Sequence, residues 1–161
     1  MRILVLSDSH AARSFMRLCM EQVKPNAVIH LGDYYDDGEI LAEEYPSTPF
    51  YLVPGNCDVH RGFIRDPEIK VEKICGVLFY LTHGHRHNVK SGLYALLTDA
   101  RAAHAQIALY GHTHSADCHK EPDGLWVLNP GSCGYYGGSA GVVEVEHGRI
   151  VSCRIIKSAD F

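Results

Sequence analysis

Five apolar runs in this chain each stop on a residue able to bind a metal ion through oxygen or nitrogen. ILVL (3–6) runs into Asp8 and His10, AVIHL (27–31) into Asp33, and FYLV (50–53) into Asn56. VLFYL (77–81) runs into His83, and IALY (107–110) into His112 and His114. Short continuous apolar runs are the pattern of strands covered on both faces. Where such strands lie parallel, their carboxyl ends share one edge of the sheet, which is where α/β folds place their ligands. One such ending is chance, but five in register with strand ends restrict the fold to one that gathers seven donors at a common edge.

The intervening segments fit that restriction. Arg13 to Val23 carries Phe15, Leu18, Cys19 and Val23 on one stripe and reads as a helix; residues 38–45, closed by Pro46, read as a second. The order strand, helix, strand, helix, strand predicts a parallel sheet. IKVEKI (69–74) and VLFYLT (77–82), joined across Gly76, are expected as an antiparallel pair. Ser91 is expected to cap a helix with the stripe Leu93, Leu96, Leu97 and Ala100. GVVEVE and RIVSCRII flank His147-Gly148 and read as a C-terminal hairpin. The expectation is an α/β fold with two sheets face to face and helices outside, one domain over residues 1–161. Without linker or repeat, 161 residues suffice to bury about 70% of the unfolded surface.

If the backbone stays extended past Gly111, His112 and His114 project side by side, because side chains two apart point the same way. The donor set is carboxylate, imidazole and amide oxygen with no thiolate, which suits Mn²⁺, Zn²⁺ or Fe better than a soft metal. Seven donors exceed what one ion needs while leaving a position open, so two ions are expected. The net charge of the chain is −4.

The same charge argues against a stable nucleic-acid complex. Arg61 and Arg65 are diluted by Asp66 and Glu68 and read as a solvated loop. Six cysteines without a C-x-x-C pair exclude a zinc ribbon. The N-terminal apolar run is too short for a secretory core or a membrane span, so a cytoplasmic protein with reduced thiols and no membrane partner is expected. Asp33, Asp36, Asp37 and Glu39 do not keep the spacing of a calcium loop. His30 reads as a satisfied core residue and His60, His104, His119 and His147 as surface. His85 is expected behind the site or at the surface, and Arg86 and His87 either at the substrate or facing water.

Taken in order, Asp8-Ser9-His10, Gly32-Asp33, Gly55-Asn56, His83-Gly84 and Gly111-His112-Thr113-His114 resemble the five motifs of the calcineurin-like metallophosphoesterases. The resemblance spans roughly residues 3 to 132, and "GNCD", "LTHGH" and "NPGS" look closest to the small bacterial and archaeal phosphodiesterases. It implies a four-layer α/β/β/α sandwich and a dinuclear centre that hydrolyses small phosphodiesters with a metal-bridging hydroxide. Asp8, His10, Asp33 and His114 would hold one ion, and Asp33, Asn56, His83 and His112 the other, with Asp33 bridging. Mn²⁺ is the first choice of metal, with Ni²⁺, Zn²⁺ and Fe as alternatives. Asp33, Asn56, Asp58 and His83 are the implied catalytic group.

Two departures bear on specificity. Many relatives carry a histidine after the G-N asparagine, as general acid for the leaving group; here Cys57 and Asp58 stand there, read as packing and as an orienting residue. The phosphatase motif G-D-x-x-D-R-G has an arginine where this chain has Asp37, which counts against monoesters. The alternatives are a phosphomonoesterase, or a protein-binding scaffold of the same fold such as the retromer's small subunit. An amidohydrolase, which also carries H-x-H, needs a barrel of about 250 residues. A homo-oligomer remains compatible with everything above.

Overall fold

The computed structural model describes residues 1–62 and 65–161. Its first sheet is built on β1 (Arg2–Leu6), which pairs in parallel with β2 (Ala27–His30), itself parallel to β3 (Phe50–Leu52). The hairpin of β9 (Ser139–Glu146) and β10 (Arg149–Lys157) closes the other side, β9 running antiparallel to β1. In the second sheet, β4 (Ile69–Ile74) pairs antiparallel with β5 (Val77–Thr82). Next come β6 (Ile107–Leu109) and β8 (Trp126–Asn129), both parallel to β5, and then β7 (Asp117–Lys120), antiparallel to β8. The strand orders are β10-β9-β1-β2-β3 and β4-β5-β6-β8-β7.

Three apolar clusters fill the gaps between four layers. Ile3, Val5, Ile29, Phe79, Leu81, Ile107 and Leu109, all fully buried, join the inner faces of the two sheets. The alternate residues Leu4, Leu6 and Val28 face outward onto Met16, Cys19 and Met20 of α1 (Arg13–Val23) and Leu41 of α2 (Tyr35–Glu44). On the far side, Tyr80, Ala108 and Val127 pack on Leu96 and Ala100 of α4 (Tyr94–Ala102). This alternation explains the unbroken apolar runs, since both faces of each central strand are covered. The four-layer α/β/β/α sandwich expected from the sequence is the fold observed.

Local boundaries differ in instructive ways. α2 begins at Tyr35, three residues before the expected start, because a carboxylate from elsewhere in the chain satisfies its first amides. Leu93, not Ser91, occupies the N-cap of α4. The five-residue α3 (Asn56–His60) and strand β7, whose sequence DCHK has no apolar alternation, carry no signal that sequence reasoning used. No helix among the described residues is long and apolar enough to cross a membrane.

Candidate metal centre

Parallel pairing puts the carboxyl ends of β1, β2 and β3 at one edge of the first sheet, and those of β5, β6 and β8 at one edge of the second. The two edges meet. His83, after β5, reaches across to the Leu31 carbonyl, 2.8 Å from its Nδ1. A carbonyl only accepts, so Nδ1 carries a proton, and Nε2 faces the two carboxylates, 3.5 Å from Asp33 Oδ2 and 3.8 Å from Asp8 Oδ1. His114 Nε2 approaches the same Asp8 oxygen to 3.1 Å. Two donor groups follow, Asp8–His10–His114 and Asp8–Asp33–His83, each with its donor atoms within 4.8 Å of one another. They share Asp8, whereas the resemblance gave the central place to Asp33.

His112 and His114 do not stand side by side. The backbone past Gly111 is left-handed at both, φ 69° and 58°, instead of extended. The rings therefore diverge, His112 lying 5.0 Å from His83 and His114 5.5 Å from His10 between centroids. The turn delivers one imidazole to each half of the site. Asn56 begins α3 directly after Gly55, and the amide of the following Cys57 donates to Asp33 Oδ1 at 2.9 Å. Six of the expected donors thus lie on loops at this edge, and the seventh, Asn56, at the start of α3.

Among the described residues, four of the six buried side-chain polar atoms lacking a protein partner belong to this set: Asp8 Oδ1, His10 Nε2, Asn56 Oδ1 and His83 Nε2. Buried polar atoms are almost always hydrogen-bonded, so lone pairs left free at one place mark a site shaped for a cation. The charge state of the two carboxylates agrees. Burial opposes ionisation of Asp8, but the neighbouring His114, His83 and Ser7 outweigh it and hold the carboxyl below its usual range. Asp33 follows the same balance, burial being overcome by His83 and the Cys57 amide. His83 is raised despite its burial, because Asp33 and Asp8 face it. Burial, then the neighbouring His83 and Lys90, push His112 down to about 4, leaving it neutral. The residues present fit divalent ions bound by oxygen and nitrogen.

Asp58 occupies a different place from the other members of the implied catalytic group. Its Oδ2 accepts the amides of Asp33 and Gly55 at 2.9 and 2.8 Å, and its Oδ1 those of Tyr34 and Tyr35, both at 2.9 Å. Four backbone donors consume the carboxylate, which is 3% exposed. It clamps the loop of Asp33 to the loop of Asn56 and caps α2. The close approach it enforces is why Gly32 and Gly55 have no side chain: a Cβ on Gly32 would sit 2.3 Å from the Gly55 nitrogen.

Several other readings are settled by contacts. His30 is fully buried, its Nε2 3.1 Å from Ser9 Oγ. His87 is neither at the site nor in water; it is buried, with Nε2 bonded to Tyr80 and Asp99. His85 binds Glu68 at 2.6 Å and Arg86 binds the same carboxylate at 3.1 Å. Arg61, read only as solvated, lies over the Tyr34 ring at 4.2 Å. Sequence reasoning missed four supporting residues. Ser7 donates to Asp8 Oδ2; Asn129 holds the Gly111 carbonyl and Thr113; Ser132 donates to the Asp8 carbonyl. Tyr135 stacks on His114, 14° between planes, and edges onto His10. The stretch NPGSCGYY from Asn129 was the available signal for Asn129, Ser132 and Tyr135.

Comparison with known proteins gives the same answer from another direction. The chain is 31% identical over 169 residues to a phosphodiesterase of Methanocaldococcus jannaschii, an alignment covering 91% of this chain and 94% of that protein. A crystal structure of a conserved protein from Streptococcus pneumoniae, described as a predicted phosphoesterase, superposes with a TM-score of 0.78 at 26% identity, covering 97% of this chain and 88% of that one. Vps29 from Entamoeba histolytica shares the fold, with a TM-score of 0.73 at 21% identity and coverage of 98% and 99%. Residues 1–148 match the family described as the calcineurin-like phosphoesterase superfamily domain, and the chain belongs to that superfamily.

Proposed function

We propose that this protein is a phosphodiesterase working with two divalent cations, Mn²⁺ first among them. The observation that carries the reading is the set of unpartnered buried donors on Asp8, His10, Asn56 and His83, held at one edge by two sheets. Asp8, His10 and His114 would hold one ion and Asp33, Asn56, His83 and His112 the other, with Asp8 Oδ1 placed between the two groups. Bound there, the ions would supply a water of lowered pKa and neutralise the phosphoryl oxygens during in-line displacement. The chain's own part is positional. The Leu31 carbonyl fixes the His83 ring, Asp58 fixes Asp33 against Asn56, and Ser7 and the His112 amide hold Asp8.

Cys57 takes the position of the general-acid histidine. Burial, then Asp33, pushes its thiol up to about 11, far from the neutral pKa that suits proton transfer. Substrates whose leaving groups need no proton are therefore favoured, and the absence of a guanidinium at Asp37 favours diesters over dianionic monoesters. The test is a panel of diesters, monoesters and cyclic nucleotides, with Mn²⁺, Ni²⁺, Zn²⁺ and Mg²⁺ added separately. Diester turnover dependent on added metal is expected. A protein inert across the panel and purified without metal would move the reading to the scaffold role, for which the Vps29 likeness is the favouring observation.

A further inference from the structure

His114 belongs both to the metal centre and to a neighbouring cleft of about 470 Å³, lined also by Thr113, Ser115, Tyr136, Ser139 and Lys157. Its size is that of a small-molecule site. Two side chains of this cleft stand exposed to solvent. Tyr136 is 91% exposed although it stands next to two glycines in a tight loop, and its φ is 54°, a conformation disfavoured for a bulky residue. An aromatic ring held in water at a strained position contributes nothing to the core. Lys157, last residue of β10 and cross-strand partner of Ser139, is exposed and enters no ion pair among the described residues, so its ammonium is free to meet a ligand.

The aromatic surface is continuous with the centre. Tyr135 lies flat on His114 and reaches Tyr136 at 6.4 Å between centroids. A group held at the metal centre thus has two rings in sequence on one side, and the Lys157 ammonium stands on the lining of the same cleft. Aromatic rings exposed beside a cation are how proteins take flat bases joined to phosphate without reading their sequence.

We propose that this cleft is the subsite for the second arm of the diester, and that the preferred arm carries a planar aromatic base and a further phosphate. Tyr136 takes the base and Lys157 the phosphate, which makes a 5′-phosphorylated dinucleotide the substrate class. The proposal rests on the phosphodiesterase reading above and extends it to specificity. It also supplies the cationic contact that Arg86, engaged with Glu68, does not.

Two measurements test it separately from that reading. In an NMR titration of the EDTA-treated full chain, where no cation can hold phosphate, adenosine 5′-monophosphate should bind about fivefold tighter than adenosine, the scale of one exposed charge contact. Lys157→Ala should equalise the two, Tyr136→Ala should weaken both about tenfold, and Tyr136→Phe should restore binding. In steady-state assays with Mn²⁺, pApA should show a lower KM than ApA, and Lys157→Ala should erase that difference through KM with kcat little altered. Equal affinities in the titration, or a pApA preference surviving Lys157→Ala, would overturn the subsite. A wild-type chain that hydrolyses no diester would overturn the phosphodiesterase reading instead, and the titration alone would then decide the cleft.

Discussion

Replacing Asp58 with asparagine separates the clamp from the chemistry. The native carboxylate accepts four backbone amides, two on each oxygen, at 2.8 to 2.9 Å. Asparagine keeps one acceptor oxygen and turns the other into a donor facing two N–H groups. Two charge-assisted bonds are lost, each worth about 1.5–3 kcal/mol, and their donors are left facing a donor in a buried place, so the cost is about 3–6 kcal/mol. For a chain of this length each kcal/mol lowers Tm by about 2–4 °C, so a drop of roughly 10–20 °C is expected. Against a typical stability of about 5–15 kcal/mol the variant still folds at low temperature. Because the clamp fixes Asp33 against Asn56, metal affinity should also fall, by roughly 10–100-fold. Thermal unfolding followed by circular dichroism, with EDTA and with excess Mn²⁺, measures both effects, since binding stabilises the folded state with the logarithm of affinity. A Tm within about 3 °C of wild type in both conditions would refute the clamp and place Asp58 at the substrate instead.

Three further outcomes are expected. Asp33→Asn should abolish turnover and lower metal content, as read by elemental analysis of the purified variant; near-normal turnover would remove Asp33 from the centre. In Gly111→Ala the new Cβ would sit 2.1 Å from Ser7 Oγ and 2.8 Å from Asp8 Oδ2, so about 1–3 kcal/mol of stability and most activity should be lost, measured by urea unfolding and diester assay. Cys57→Ala should leave kcat within about threefold across leaving groups of differing pKa, because a thiol raised to about 11 is a poor general acid; a loss confined to poor leaving groups would make the thiol a proton donor.

The layered fold was legible because burial writes itself plainly into sequence. β1, β2, β5 and β6 are covered on both faces, and their unbroken apolar runs say so. β7 pairs only with β8 and sits at the edge of its sheet, so DCHK carries no hydrophobic signature. The early start of α2 was hidden for a related reason. Its first amides are satisfied by Asp58, more than twenty residues away, and no capping residue marks the place locally. His87 shows the same kind of concealment: a histidine in a basic stretch is buried because Tyr80 and Asp99 supply partners from other elements.

The donors were legible as residue types at strand ends, but the geometry that gathers them was not. Five of the seven, Asp8, His10, Asp33, His112 and His114, have positive φ between 44° and 69°, in a region that non-glycine residues seldom adopt. Each such residue costs on the order of 1–3 kcal/mol and persists only where its surroundings over-determine it. Those surroundings are visible: Ser132 and the Gly134 amide on Asp8, Asp58 on Asp33, the Asp8 carboxylate on the His112 amide. An extended strand would have sent His112 and His114 to one side of the sheet edge. The left-handed turns send them to opposite halves of the centre, so the strain is what permits a short GHTH segment to serve both. Relaxing a turn at any of these positions should therefore impair the site more than the fold, because the cores between the layers do not depend on it.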